Sequence, residues 1–140
     1  MVHVDPQLAR DCVPAGRFSL CHLLLMEDAN YPWFILVPDR EGITEIYQLD
    51  AADQRQLMEE SCLLAQCLAT HWRADKINIA ALGNVVPQLH IHHIVRYRHD
   101  PAWPAPVWGK VAPEPYTAAS RAETLARVRQ ALDGRCDFAM

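Results

Sequence analysis

The sequence lacks any apolar run long enough to cross a lipid bilayer, which takes roughly 18 or more consecutive residues. Residues 1–12 also lack the apolar core of a secretion signal. The chain has no surplus of positive charge, because its net charge is −4 with the histidines neutral. It therefore offers long polyanions no general attraction. These absences argue against membrane and nucleic-acid partners, and they predict a cytoplasmic protein.

The sequence also lacks a pattern of paired cysteines. The chain has five cysteines, an odd number, with no CxxC and no zinc-ribbon pattern. Cys62 and Cys67 lie five residues apart in a helical stretch, which is poor spacing for a bridge. We expect free, buried thiols in a reducing compartment. No internal repeat or low-complexity tract is present, and a length of 140 residues predicts one domain, residues 1–140.

Strand-like segments alternate with two helical ones. Four stretches have strand character, at residues 17–26, 33–38, 76–82 and 87–98. The first two are close enough in sequence to form an antiparallel pair. A long helix is predicted after Asp50, which is placed as its N-cap, and a C-terminal helix over about 118–133, ended by Gly134. This order predicts an α+β domain: an antiparallel sheet with one long central helix and a C-terminal helix.

Histidines concentrate in one of these strands. Four of the seven lie within ten residues of one another: His90, His92, His93 and His99. Because side chains alternate across a strand, Gln88, His90 and His92 share one face, and His93 points away from them. Leu89 is on the core side, so we expect the other face to border a cleft.

Three interpretations of this face remain open on the residues alone. Two histidines can chelate zinc, but a third ligand is not evident and glutamine is a poor one. The imidazoles could instead be structural, hydrogen-bonded at the edge of a cleft. The third interpretation is nucleophilic catalysis, since an imidazole with an ordinary pKa near 6.5 is a good nucleophile at neutral pH.

The stretch "GNVVPQLHIHHI" resembles the motif of the histidine triad (HIT) superfamily of nucleotide hydrolases and transferases. That motif alternates three histidines with apolar residues after a glycine-containing lead-in. The better register puts Gln88 in the first triad position, His90 in the middle and His92 last. The segments "NYPWFILVPD", "INIAALGN" and "WPAPVWG" are similar to further family elements. The resemblance therefore extends over about residues 18–109.

The resemblance implies a HIT-like fold and a covalent mechanism. His90 would attack the α-phosphate of a nucleotide to form a nucleotidyl-histidine, and His92 would stabilise the phosphate oxygens and orient the leaving group. The implied substrates are dinucleoside polyphosphates or nucleoside phosphoramidates. No cofactor is implied, and a divalent metal would arrive only with the nucleotide. The resemblance also implies a homodimer.

Gln88 departs from the family pattern, which has a histidine there. Glutamine can hydrogen-bond but cannot carry a proton or a positive charge. If the first position chiefly orients the nucleophile, catalysis survives this change. If that position must become charged, the chain is a nucleotide-binding module with weakened turnover. A metal-binding protein built on His90 and His92 is a further alternative.

Several other residues are candidates for substrate binding. By resemblance, Asp28 or Asn30 falls where the family contacts ribose, and plain turn chemistry is the alternative. Asn78 matches an asparagine in the family's third strand, and a buried amide that bonds to backbone groups is the alternative. Trp33 is either a wall for the base or a core aromatic, and Asn84 offers an amide for phosphate. Arg96 is either a phosphate contact or a solvated arginine.

The proline-rich segment 100–116 is expected to be irregular. With His99 just before it, this segment supplies Trp103 and Trp108, and these three side chains are further candidates for lining the cleft.

Overall fold

Five strands form one antiparallel sheet in the order β1-β2-β3-β5-β4. The computed structural model describes residues 2–140, so the predicted domain extent 1–140 includes one residue, Met1, outside the described range. The strands are β1 (Cys12–Arg17), β2 (Cys21–Met26), β3 (Trp33–Pro38), β4 (Lys76–Ala80) and β5 (Ile91–Arg96). The helices are α1 (Pro6–Asp11), α2 (Ala51–His71) and α3 (Ala118–Leu132), with a short 3-10 helix at Ile46–Gln48. The predicted α+β class is confirmed.

Both long helices begin at side-chain caps. The Asp50 carboxylate accepts a hydrogen bond from the Asp53 backbone N–H at the start of α2, as the sequence predicts. Thr117 caps α3 by accepting from the Ser120 backbone N–H. After α3, Gly134 adopts a φ of 73°, which glycine tolerates best. The two predicted helices are therefore present, with their ends within about two residues of the expected positions.

The first strand pair differs from the prediction at its N-terminal side. Residues 33–38 form β3 and pair antiparallel with β2, as expected, but β2 begins at Cys21 and not at Arg17. The unpredicted β1 precedes it and pairs with β2. It contains Pro14 and Gly16, two residues that disfavour strand interiors, and the register shifts between them. An edge position and a bulge accommodate both residues.

The histidine-bearing strand is also shorter than predicted. Residues 91–96 form β5, whereas Gln88, Leu89 and His90 precede it. The Leu89 backbone N–H bonds to the Ile43 carbonyl and not to a sheet neighbour. The fourth segment likewise ends early, at Ala80, and β4 forms the edge of the sheet. His90 and His92 thus lie where the chain enters the sheet.

Apolar side chains cover the sheet on both faces. One core lies between the sheet and the two long helices and includes Phe34, Leu64, Leu68 and Val128. The second core lies on the opposite face and includes Leu8 of α1, Trp33 and Ile94. Because both faces are covered, all six residues of β3 and all six of β5 are buried.

All five cysteines, each within residues 2–140, are free. Cys12, Cys21 and Cys67 are buried, but Cys62 is exposed. The expectation that the thiols are buried is therefore wrong for Cys62, which lies on the outward side of α2, and holds only in part for Cys136, which is partly exposed. Among the described residues, no helix is both long and apolar enough to span a membrane.

Gly16 is required by a close approach between β1 and the C-terminal segment. Arg17 and Ala139 exchange two backbone hydrogen bonds, and the Phe138 ring packs on Phe18 beside Gly16. A Cβ at residue 16 would lie 2.4 Å from the Phe138 ring. We expect Gly16→Ala to lower the free energy of unfolding by about 2–3 kcal/mol, the cost of overpacking, in urea titrations.

Gly42→Ala is the matched control for this substitution. Gly42 has a positive φ of 71°, but a Cβ there would meet nothing within 4 Å. Gly42→Ala should therefore lower the free energy of unfolding only by the conformational penalty, about 1 kcal/mol. Equal losses for the two variants would show that the contact with Phe138 is unimportant.

Candidate functional site

A cavity of about 630 Å³ lies on the face of the sheet opposite α2 and α3. Its walls come from α1, the end of β2, the start of β3, the loop after β4 and the entry to β5. The candidate residues that line it are Asp28, Trp33, Asn84, His90, His92 and Trp108. His90 also borders a second cavity of about 510 Å³, together with Tyr47 and Gln88.

His90 has one ring nitrogen committed to the backbone. Its Nδ1 lies 2.7 Å from the carbonyl oxygen of Gln88. A carbonyl only accepts, so Nδ1 must carry the proton in this contact. In the neutral ring this leaves a lone pair on Nε2. His90 is buried except for its border with the cavities, and the arrangement suits a nucleophile.

His92 has the complementary arrangement. The indole Nε1–H of Trp33 donates to His92 Nδ1 at 2.9 Å, so Nδ1 carries the lone pair and Nε2 the proton. Burial, followed by the nearby His90 and His93, lowers the pKa of His92 to about 3. The His90 and His92 ring centroids are 4.9 Å apart. His90 therefore offers the cavity a nitrogen lone pair, and His92 offers it an N–H donor.

His93 points to the opposite face, as strand alternation predicts. Its Nδ1 donates to the Ile91 carbonyl at 3.1 Å, and its Nε2 accepts from the Ser61 hydroxyl of α2 at 2.7 Å. Burial lowers the pKa of His93 to about 4. This histidine is neutral and joins the sheet to α2.

The Gln88 side chain bonds to the N-terminal segment, which leads into α1 on the same side of the sheet as His90 and His92. Its side-chain oxygen accepts from the Asp5 backbone N–H at 2.8 Å, and its amide nitrogen donates to the His3 carbonyl at 3.0 Å. Both ends of the amide therefore hold the N-terminal segment. Gln88 itself precedes β5 and is not part of the strand. Its contribution to His90 comes through its backbone carbonyl.

Arg96 is not a solvated arginine, and that expectation is wrong. Its side chain is 1% exposed and bonds to Asp100 through two nitrogens, at 2.8 and 3.1 Å. It also donates to Asn78 Oδ1 and to the Ala105 carbonyl. The guanidinium thus holds the segment after β5 and has no exposed surface for a phosphate. Within residues 2–140 the Asn78 side chain bonds to this arginine and to no backbone group, and it does not line the cavity.

Asp28 and Asn30 form a turn, but only Asp28 reaches the cavity. One Asp28 oxygen accepts from the Asn30 backbone and side-chain nitrogens and from the Glu114 backbone N–H. Asn30 also donates to the Ala112 carbonyl. Asp28 lines the cavity and Asn30 does not. Asn84 lines the cavity and is exposed.

The tryptophans divide between the cavity and the Arg96 cluster. Trp33 is buried, with its ring 5.7 Å from that of Trp108, and Trp108 lies 5.1 Å from His92. Trp103 packs over the Arg96 guanidinium at 5.6 Å instead. His99 is exposed and stacks on Tyr97, so it does not line the cavity.

Sequence reasoning missed the hydrogen bond between Trp33 and His92, and it missed α1 as a wall of the cavity. For the first, the sequence indicated Trp33 only as a wall for the base or a core aromatic. In the part of the chain that the structure describes, no group of three or more histidine, cysteine or acidic side chains has the arrangement of a metal site.

Comparisons with known proteins give consistent matches. The HIT domain family model matches residues 10–99. A histidine triad protein from Marinobacter aquaeolei VT8 is 48% identical with a TM-score of 0.92, over 95% of this chain and 97% of that one. One from Sinorhizobium meliloti 1021 is 44% identical with a TM-score of 0.91, over 93% and 96%. One from Bradyrhizobium japonicum is 41% identical with a TM-score of 0.90, over 92% and 96%. No curated protein matches the chain.

The Gln88 contacts predict a local effect on the N-terminal segment. Gln88→Ala removes the acceptor for the Asp5 N–H, and a hydrogen bond of about 1 kcal/mol corresponds to roughly fivefold faster exchange of that amide. Amide hydrogen exchange by NMR measures this. His3→Ala is the control, because His3 takes part through its backbone carbonyl. Unchanged Asp5 protection in Gln88→Ala would contradict the contact.

The buried ion pair predicts a pH-dependent stability. Burial would raise the pKa of Asp100, but hydrogen bonds from Arg96 and from the backbone N–H groups of Tyr97, Ala102 and Trp103 hold it below its ordinary value. The stabilisation is therefore present above about pH 4, the ordinary pKa of an aspartate, and is lost as the pH falls through the lower folded-state pKa.

We expect Asp100→Asn to lower the free energy of unfolding by about 3 kcal/mol at neutral pH, with the difference from wild type narrowing in acid. Denaturant titrations across pH measure it. Asp53→Asn is the control, because Asp53 has matching two-nitrogen contacts with the exposed Arg40 and should cost less than about 1 kcal/mol. A similar loss at both sites would refute the importance of burial.

Proposed function

The chain belongs to the histidine triad family, and we propose that it is a nucleotide hydrolase or transferase that works through a covalent nucleotide on His90. The observation that carries this proposal is the pair of complementary nitrogens at the cavity. The Gln88 carbonyl leaves the lone pair of His90 on Nε2, and Trp33 leaves the proton of His92 on Nε2. Attack on a phosphate requires a nucleophile for the phosphorus and a donor for the charged oxygens. His90 and His92 fit these two roles, with ring centroids 4.9 Å apart.

The first step transfers the nucleotide to the protein. The lone pair of His90 Nε2 forms a bond to the α-phosphorus, and the bond from phosphorus to the leaving group breaks with its electron pair on the leaving group. His90 keeps its Nδ1 proton and becomes cationic, and the Gln88 carbonyl stabilises that charge through the existing hydrogen bond. His92 Nε2–H stabilises the negative charge on the phosphate oxygens.

The second step releases the nucleotide. Water or another acceptor attacks the phosphorus, and the bond to His90 Nε2 breaks with its electrons returning to the ring. The attacking water gives up a proton to solvent, and His90 returns to its neutral form. Imidazolium is a good leaving group, so two moderate steps replace one difficult displacement.

The cavity offers partners for the rest of a nucleotide. Trp33 and Trp108 supply aromatic surface for a base, and Asp28 supplies a carboxylate for ribose hydroxyls. Asn84 would offer its amide to a phosphate. We assign substrate roles to these four residues and not to Asn30, Asn78 or Arg96, whose polar groups hold other parts of the protein. We propose that no cofactor takes part and that any divalent metal arrives bound to the nucleotide.

We also propose a cytoplasmic homodimer. The free thiols fit a reducing compartment. The edge strand β4 carries Ile79, which is 51% exposed, and Leu82 follows it at 46%. A second copy would cover this apolar edge. Sedimentation equilibrium tests the assembly directly.

The Gln88 contacts support a second candidate function. Because the Gln88 amide bonds to the N-terminal segment through both its oxygen and its nitrogen, the first triad position offers the substrate no ionisable side chain. A nucleotide-binding module without turnover is the alternative that follows.

Intact-mass analysis separates these two functions. After incubation with diadenosine tetraphosphate or an adenosine phosphoramidate, we expect the wild-type protein to gain one adenylyl group and to release product. His90→Ala should lose the adduct and at least about 10³-fold in turnover, as for a lost nucleophile. His92→Ala should lose about 10²–10³-fold in kcat, the effect of removing one donor to a developing charge.

His99→Ala is the matched histidine control, because His99 is exposed and lies outside the cavity. It should retain both the adduct and turnover. Tight nucleotide binding without an adduct or product would support the binding module and would overturn the hydrolase assignment.

A further inference from the structure

Trp33 determines which nitrogen of His92 carries the proton. An indole N–H can only donate, so its 2.9 Å contact requires an unprotonated His92 Nδ1. Trp33 is 6% exposed, and its ring packs edge-on against the His92 ring at 5.6 Å. Trp108 packs edge-on against the same imidazole at 5.1 Å. Two indoles therefore enclose His92, and one of them fixes its tautomer.

Protonation of His92 would place two N–H groups against each other. The indole bond would be lost, and a cation would be left in a largely apolar wall. Burial and the neighbouring His90 and His93 act in the same direction, since they lower the pKa of His92 to about 3. The other ionisable groups lining the cavity are Arg10, Asp11, Glu27 and Asp28, and none of them hydrogen-bonds to His92 within the described residues.

A neutral His92 can donate a hydrogen bond but has no proton to give away. Its Nε2–H is far too weak an acid to release a proton at neutral pH, unlike the imidazolium form. Gln88, the other triad neighbour, cannot ionise and is engaged with the N-terminal segment. The site therefore provides charge stabilisation without general-acid catalysis.

Leaving groups differ in whether they need that proton. When a phosphoanhydride P–O bond breaks, its electron pair stays on a phosphate oxygen, and phosphate carries the added charge readily because its second pKa is about 6. When a phosphoramidate P–N bond breaks, the nitrogen must take up a proton to depart as an amine. A hydrogen-bond donor suffices for the first reaction and not for the second.

We propose that Trp33 is a positioning residue that, through its bond to His92, makes the site selective for leaving groups that depart as oxyanions. The substrate class is then the dinucleoside polyphosphate or a similar nucleotide anhydride, not the nucleoside phosphoramidate. This inference rests on the proposed function. It narrows that function from two substrate classes to one and names the side chain responsible.

The tautomer is measured first, on the wild-type protein labelled with ¹⁵N-histidine. NMR should show His92 Nδ1 unprotonated and Nε2 protonated across about pH 5–8, the range in which an ordinary histidine titrates. In Trp33→Phe, which keeps an aromatic ring and removes the N–H, Nδ1 loses its donor, so His92 should no longer be held in one tautomer and its pKa should rise above the wild-type value while burial keeps it below the ordinary one. A proton on Nδ1 of wild-type His92 would refute the assignment.

Leaving-group preference is measured next, as the ratio of kcat/KM for diadenosine tetraphosphate to that for an adenosine phosphoramidate. In the wild type we expect this ratio to exceed about 10², the lower end of what a positioned proton donor contributes. Trp33→Phe should reduce the ratio by about fivefold, because loss of a hydrogen bond worth about 1 kcal/mol shifts the balance between neutral and protonated His92 by that factor.

Trp108→Phe is the matched control. It makes the same exchange of indole for phenyl against the same imidazole, and it leaves the Trp33 bond in place. The kcat/KM values for the two substrates should fall by a common factor, so their ratio should stay within about twofold of the wild-type ratio. An equal change of ratio in the two variants would show that ring size and not the N–H is responsible, and would overturn the proposal.

The outcomes separate this inference from the proposed function. Absence of adduct and turnover with both substrates defeats the proposed function. Turnover with a ratio near one, or in favour of the phosphoramidate, leaves the proposed function standing and refutes the inference. If Trp33→Phe does not fold, the wild-type spectrum and the wild-type ratio alone decide.

Discussion

The pairing of β3 with β5 is the constraint on which the rest of the site depends. In this register Ile35 lies opposite His92 and Trp33 lies opposite Ile94. Trp33 and His92 are therefore diagonal neighbours on one face of the sheet, within reach of large side chains. A slip of one residue would turn His92 toward α2 and His93 toward the cavity. Because both faces of these strands are buried, such a slip would also mismatch the side-chain packing on each face, and the register is strongly held.

A second buried interaction fixes the segment that closes the site. Arg96, at the end of β5, holds Asp100 and the Ala105 carbonyl, and the chain then continues to Trp108 beside His92. An irregular, proline-rich segment has no strand or helix ladder to satisfy its backbone. The side chains of Arg96 and Asp100 take over that role here. Arg96, a residue of the kind that binds phosphate, instead gives the loop a defined shape.

Local patterns in the sequence were sufficient for features set by neighbouring residues. Alternation separated His90 and His92 from His93, and the Asp50 cap located α2. The sequence pattern did not predict contacts between residues that are distant in the chain. Gln88 bonds to Asp5 and His3, which precede it by 83 and 85 positions, and Trp33 bonds to His92, which follows it by 59 positions. No periodicity encodes such contacts. β1 was missed for a different reason, because Pro14 and Gly16 have turn character and are tolerated only at the edge and bulge that the folded sheet provides.

The anchoring of the N-terminal segment by Gln88 bears on how the first triad position can change. An amide carries its donor and acceptor on one carbon, side by side, and so imitates a backbone pair to residues 3 and 5. In an imidazole the two nitrogens also share one carbon, but their lone pair and N–H point away from each other, so the ring cannot meet both backbone groups in the same way. Exchange of Gln88 for histidine would therefore release the wall of the cavity before it added a titratable group. A histidine at position 88 would therefore need a different anchor for the N-terminal segment before a full triad could form in this chain.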